Sequence, residues 1–203
     1  MIRLIIISLL LTSCAIYYDS SKINTFIPNV EVDKRPVVEL AVTFKEIDWN
    51  GKSTGNVETV QSIARKEYRK FIYAGRSPYE NSNAFKKVLR PGGTFTDKKI
   101  DYRIHLNLIS DMRGSLLRNT WHWMSHLTLA VIPYRMEYKY GYELIVYDNK
   151  QNEIKRLKKF IPMVYWQSIL FIYKGTRIEE MKEGINKIAR MSLRDLVKSK
   201  VIH

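Results

Sequence analysis

The chain has 203 residues, enough for one domain with a short tail. Hydrophobic residues make up 45% and charged residues 27%, which excludes a disordered chain. Its 34 Lys+Arg against 20 Asp+Glu give a net charge of +14 and favour acidic partners, while a single cysteine excludes an internal disulfide or a cysteine-based metal cluster.

The N-terminus reads MIRLIIISLLLTSC: one basic residue, Arg3, an apolar stretch from Leu4 to Leu11, then small polar residues and Cys14. A stretch this short cannot cross a hydrocarbon core, which takes about 20 helical residues. It suits a secretory signal that is removed before folding. The segment Leu11-Thr12-Ser13-Cys14 resembles the lipobox of bacterial lipoproteins. That resemblance implies cleavage after Ser13 and covalent attachment of a diacylglycerol and an N-acyl chain to Cys14. Several acyl chains on one residue exceed the marginal hold of a single chain. Ala15 in place of Asp after the cysteine implies sorting to the outer membrane. The alternatives are an ordinary signal peptide, or a short buried strand carrying a spare cysteine.

Residues 1–13 are therefore expected to be a signal peptide, 14–35 an acylated tether, and 36–203 a basic α+β domain. Val38, Leu40, Val42 and Phe44 alternate with polar residues and predict a half-buried strand. A polar loop with an Asn-Gly pair follows. Val57, Val60, Ile63, Ala64, Phe71 and Ile72 recur at helical spacing, with Gly75 and Pro78 expected to end the helix. A short second helix is expected around Phe85, Val88 and Leu89, stopping at Pro91-Gly92-Gly93. Tyr102–Leu108 and Met136–Val146 predict two more strands. Asp148–Asn152 reads as a hairpin loop leading into a fourth strand over Glu153–Ile161. Thr176-Arg177-Ile178-Glu179 is a capping box opening a last helix with its stripe at Ile178, Met181, Ile185, Ile188, Ser192 and Leu196. The order β-α-β-β-β-α predicts a four-stranded, mostly antiparallel sheet with two main helices on one face.

Two apolar segments fall outside that scheme, Thr120–Tyr134 and Pro162–Tyr173. The hairpin brings the start of the third strand and the end of the fourth to one end of the sheet, so both segments should meet at one pole. Neither Met112–Met136 nor Ile154–Ile178 contains an Asp or Glu, while basic residues recur through both. Aromatic rings beside unopposed cations suit a bilayer interface, where each Lys or Arg near an anionic surface is worth roughly 1 kcal/mol. On this reading Trp121, Trp123, Leu127, Trp166 and Phe171 supply insertion or contact, and Arg118, Lys158 and Lys159 attract phosphate. The competing reading makes both segments core, one as a helix over the sheet and one as a fifth strand.

The run Ser125-His126-Leu127-Thr128-Leu129-Ala130-Val131-Ile132-Pro133 resembles the S-x-L-T-L-x-x-I-P element of a group of bacterial lipoproteins, which usually have Gly where Ala130 stands. The element order is also similar to that of the lipoprotein that plugs the lipopolysaccharide translocon, without a shared motif. Neither resemblance implies an activity.

Chemical motifs are weaker. Gly51-Lys52-Ser53-Thr54-Gly55 matches the G-x-S-x-G nucleophile elbow, for which Asp148 and His203 could be named as partners. Asp48-Trp49-Asn50 separates it from the strand, and a P-loop reading fails because Glu46 stands where the first glycine belongs. His122 and His126 are spaced i, i+4, but Trp123 replaces the glutamate of a zincin and no third ligand is evident. The expectation is a non-enzymatic envelope lipoprotein at the outer membrane, with no cofactor and no metal. It would bind membrane lipids, including anionic lipid or lipopolysaccharide, and no nucleic acid. A subunit of an envelope protein complex is the alternative, and a serine hydrolase using Ser53 a distant third.

Overall fold

The structure is a computed structural model that describes residues 15–19, 35–47, 53–54, 62–92, 100–111, 134–168 and 177–202. Its elements are β1 (Ala15–Asp19), β2 (Val37–Ile47), β3 (Ser53–Thr54), α1 (Ser62–Glu80), β4 (Lys87–Leu89), β5 (Tyr102–Asp111), β6 (Tyr134–Tyr147), β7 (Glu153–Ser168) and α2 (Arg177–Lys198). The α+β class and the two helices match the expectation. The sheet is larger than expected, with seven strands among the described residues in the order β1-β7-β6-β5-β2-β3 and β4 also beside β2.

The long strands form because their apolar residues alternate, and pairing stacks the alternations into rows. Phe44, Leu108 and Tyr142 lie in one row, and Leu40, Ile104 and Val146 in another. All six are buried, and they form the core with Ile185, Ile188, Leu193 and Leu196 of α2 and Phe71 and Tyr79 of α1. β2 runs parallel to β5, because α1 carries the chain back across the sheet between them. β5, β6 and β7 are antiparallel. The turn between β6 and β7 is held by Asp148, whose carboxylate accepts hydrogen bonds from the Lys150 and Asn152 amides at 2.8 Å each and from Asn152 Nδ2 at 2.9 Å.

Four expectations are corrected. Gly75 and Pro78 do not end α1, which continues to Glu80. Pro78 has no N–H for the Ala74 carbonyl, and Asn186 Nδ2 of α2 donates to that oxygen instead, at 3.2 Å. At Gly75 the helix approaches the sheet so closely that a Cβ would stand 2.5 Å from Leu108 Cδ1. The segment around Val88 is not a helix but the short strand β4, parallel to Val37–Glu39. The Lys86 amide leads into it with a bond to the Pro36 carbonyl at 2.9 Å.

The expected tether begins with a strand, since β1 pairs antiparallel with β7 from Ala15 opposite Ser168 to Asp19 opposite Val164. Finally, β7 does not stop at Ile161. It runs to Ser168, so the first part of the second apolar segment belongs to the sheet and is not a loop. β6 and β7 thereby outrun β5. Asp111, the last residue of β5, pairs with Lys139, whereas β6 begins at Tyr134. Beyond that row the described sheet is a ribbon of β1, β7 and β6, roughly 17 Å long at about 3.4 Å per residue.

Candidate functional site

Two surfaces follow from this architecture. The first is the pole at the end of the ribbon. Tyr134 stands opposite Gln167, and Ala15 opposite Ser168, so the start of β6, the end of β7 and the start of β1 share one end of the sheet. Trp166 lies in register between Arg135 on β6 and Tyr17 on β1. Arg118, Trp121, Trp123, Leu127, Phe171 and Cys14 lie outside the described residues, as do His122, His126, His203 and the run 125–133. Among the described residues no helix is long and apolar enough to cross a membrane.

The second surface is the face of the sheet opposite the helices. Strand alternation sends the non-core residues there in register. The row Lys158, Glu143, Asn107, Thr43 is followed toward the pole by Phe160, Gly141, Ile109, Lys45, and then by Pro162, Lys139, Asp111, Ile47. Gly141 has no side chain to fill the middle of this lattice, and the Phe160 ring lies across the place a Cβ would occupy. Ile109, only 7% exposed, floors the space beside it. The result is a hollow of about 850 Å³ lined from β2, β5, β6 and β7.

Three exposed lysines border the hollow: Lys45, Lys139 and Lys158. None has a carboxylate partner among the described residues, and Lys158 Nζ sits 5.6 Å from the Phe160 ring centroid. Glu143 is engaged by Arg156 at 3.2 Å, and Arg156 also pairs with Glu153 at 2.7 Å. The Glu153 carboxyl is held below its usual range by the hydrogen bond from Arg156. Thr43 Oγ1 donates to Asn107 Oδ1 at 2.7 Å. Further along the face, Arg103 approaches Glu39 at 3.7 Å, and His105 packs edge-on against Tyr147 with centroids 5.0 Å apart.

The two lysines singled out from sequence are separated by the pleat. Lys158 faces the hollow, while Lys159 faces the helix layer and pairs with Asp195 of α2 at 3.4 Å. Asp195 also accepts from the Tyr142 hydroxyl at 2.7 Å and from Arg194 Nη2 at 2.8 Å. Burial pushes its pKa up, but the bonds from Tyr142 and Arg194 and the nearby Lys159 charge outweigh burial and hold it below the usual range. Burial and the hydrogen bond to Asp195 push the Tyr142 phenol well above its ordinary value. Tyr79, also raised by burial, shares a 2.7 Å bond with the Ser192 hydroxyl, so this polar cluster locks α1, α2 and β6 together.

Ser53 of the G-x-S-x-G match lies in β3, paired with Ile47 at the sheet edge. Its nominal acid, Asp148, is engaged by the hairpin backbone. Among the described residues there is no cluster of metal-ligating side chains. Sequence reasoning missed Lys45, Lys139, Asn107 and Phe160 as one surface. The available signal was Gly141 inside an otherwise alternating strand, which marks a close approach or a gap in the side-chain lattice.

No protein-family model matches the chain, and no curated protein is significantly similar to it. It is similar to a solved dodecameric PelC variant from Paraburkholderia phytofirmans, at 9% identity over 89% of this chain and 98% of that one, with a TM-score of 0.32. A solved structure of an uncharacterized protein is 9% identical over 79% of this chain and 89% of that one, also with a TM-score of 0.32. Likeness at this level carries no argument about function.

Proposed function

We propose that the chain is a non-enzymatic envelope lipoprotein, acylated at Cys14 and held at the outer membrane. It touches anionic lipid or lipopolysaccharide with the pole that carries its two aromatic segments. The observation that supports this reading is the strand register. Ala15, the residue after Cys14, pairs with Ser168 at the end of β7, and β6 begins opposite Gln167. An acyl anchor on Cys14 would thus be joined to the sheet without a tether, at the end where residue 133 leads into β6 and residue 169 follows β7. Anchor and tryptophans would face the bilayer together with the basic residues nearest that end, Arg113, Arg118, Arg135 and Lys174, which would add roughly 1 kcal/mol each at an anionic surface.

The test is vesicle flotation of the chain lacking residues 1–13 and carrying Cys14→Ser, which removes acylation and keeps β1. The reading expects flotation with anionic vesicles and not with neutral ones. Binding should weaken as salt rises, since screening shortens the Debye length from about 10 Å at 0.1 M to about 3 Å at 1 M. Trp121→Ala with Trp166→Ala should abolish it. A chain that stays at the bottom with every vesicle, or floats equally well with neutral ones, refutes polar contact with anionic lipid. If it then carries a co-purifying envelope protein from detergent extracts, the aromatic segments serve a protein interface.

A further inference from the structure

The hollow lies on the open face rather than at the end of the ribbon, and every residue lining it, Lys158 included, comes from β2, β5, β6 or β7. We propose that it binds an anionic saccharide, a sugar bearing carboxylate or phosphate groups. Three features argue for this class. The floor is apolar but small: Ile109 and Phe160, with Phe160 38% exposed, offer a ring and an aliphatic patch of the size that the C–H face of a sugar covers. An acyl chain is a poorer match, because charged and polar residues interrupt the apolar lining in every row of the lattice. Beside the floor stand the paired Thr43 hydroxyl and Asn107 amide, whose mutual bond leaves the amide nitrogen as a donor for ligand hydroxyls.

The third feature is charge. Lys45, Lys139 and Lys158 reach the rim from three different strands, so an anionic group on a bound ring meets a cation on several sides. Of the two carboxylates in the lining, Glu143 is already matched by Arg156, and Asp111 is 5% exposed. The hollow is therefore selective against a neutral sugar through its unmatched lysines, and against a bare anion through its apolar floor. Its volume of about 850 Å³ lies within the range of small-ligand sites, about 300–1,000 Å³.

The experiment is calorimetric titration of the full chain in a non-ionic detergent. The probes are tetragalacturonate, glucose 1,6-bisphosphate, neutral maltotetraose and citrate. The proposal expects at least one anionic sugar to bind about tenfold or more tighter than both maltotetraose and citrate, and the first two probes tell carboxylate from phosphate recognition. Lys139→Gln, Lys158→Gln and Phe160→Ala should each weaken binding by about tenfold. All three positions are exposed, so the folded state should survive, which an unchanged melting temperature will verify. Lys86→Gln and Lys198→Gln remove the same charge outside the hollow and should change affinity less than about twofold. The proposal is overturned if neither anionic sugar binds, if maltotetraose or citrate binds as well, or if the two distant variants weaken binding as much as those in the hollow.

Discussion

Replacing Gly75 by alanine sets two physical effects against each other. Gly75 lies inside α1, where alanine is normally the better residue by about 1 kcal/mol because glycine loses more backbone entropy. Contact with the sheet opposes that gain. The new Cβ would stand 2.5 Å from Leu108 Cδ1, 3.1 Å from Val42 Cγ1 and 3.8 Å from Ile185 Cγ2. Carbon atoms rest at about 3.5–4.0 Å, so the first contact is short by about 1 Å. Leu108 is 1% exposed and packed within the core, so its methyl can retreat only by displacing neighbours. Overpacking of this kind costs about 1–3 kcal/mol, and a deficit of that size argues for the upper half of the range.

Gly75→Ala should therefore destabilise by about 1–2 kcal/mol net, lowering the melting temperature by about 2–8 °C for a chain of this size. Urea denaturation followed by circular dichroism, with the m-value checked for constancy, measures it. Leu108→Val removes part of the obstruction, so the double variant should be more stable than the sum of the single effects. A rise in melting temperature for Gly75→Ala alone would refute the reasoning, because helix propensity would then outweigh a contact that is not tight.

The proline in α1 gives a second prediction. Asn186→Ala should cost about 1–2 kcal/mol by orphaning the Ala74 carbonyl, and Pro78→Ala, by restoring an N–H, should halve that cost. A double-mutant cycle on urea midpoints with no coupling would exclude the compensation. A third prediction concerns acid. Asp195 has a folded pKa held below its unfolded value of about 3.9, so its contribution is fully present above that pH and is lost as pH falls through the folded value. Asp195→Asn should flatten the decline of stability below about pH 4, and Tyr142→Phe should cost about 1–2 kcal/mol at pH 7. Melting curves from pH 2 to 7 test both, and an unchanged acid slope in Asp195→Asn would rule out this carboxylate as a source of acid lability.

What could be read from the chain was whatever local periodicity determines. Tyr102–Leu108 alternates strictly and Val38–Phe44 does so apart from Ala41, and both are strands with Val38, Leu40, Phe44, Ile104, Leu106 and Leu108 buried. The hairpin at Asp148–Asn152 was legible because its polar residues serve the turn itself. The errors arise where a distant partner decides. Phe85, Val88 and Leu89 have helical spacing, but three residues are too few to fix a period, and pairing with Val37–Glu39 makes Lys87–Leu89 a strand. Gly75 and Pro78 are ordinary stop signals until Asn186, on the other helix, satisfies the carbonyl that proline abandons. The five residues of β1 carry no alternation and acquire their conformation from β7, far along the chain.

β7 also shows why a basic run in a sequence is not a basic patch. Residues Lys155–Phe160 read as one cationic stretch, yet the period of two divides it between the faces. Leu157 and Lys159 turn toward the helices, where Leu157 packs on the core and Lys159 meets Asp195. Arg156, Lys158 and Phe160 turn the other way, where Arg156 neutralises Glu143 and only Lys158 is left to line the hollow. Of the four cations in the stretch, two are thus bound to carboxylates on opposite faces. The positive character of the hollow has to come from other strands, from Lys45 on β2 and Lys139 on β6. Charge that can recognise a ligand is assembled across the sheet by strand pairing, so an anion-binding surface in this fold depends on the register of β6 against β7. A one-residue slip there would carry Lys158 to the helix side and Lys159 to the open face, turning Lys159 away from Asp195 while leaving the composition of the strand unchanged.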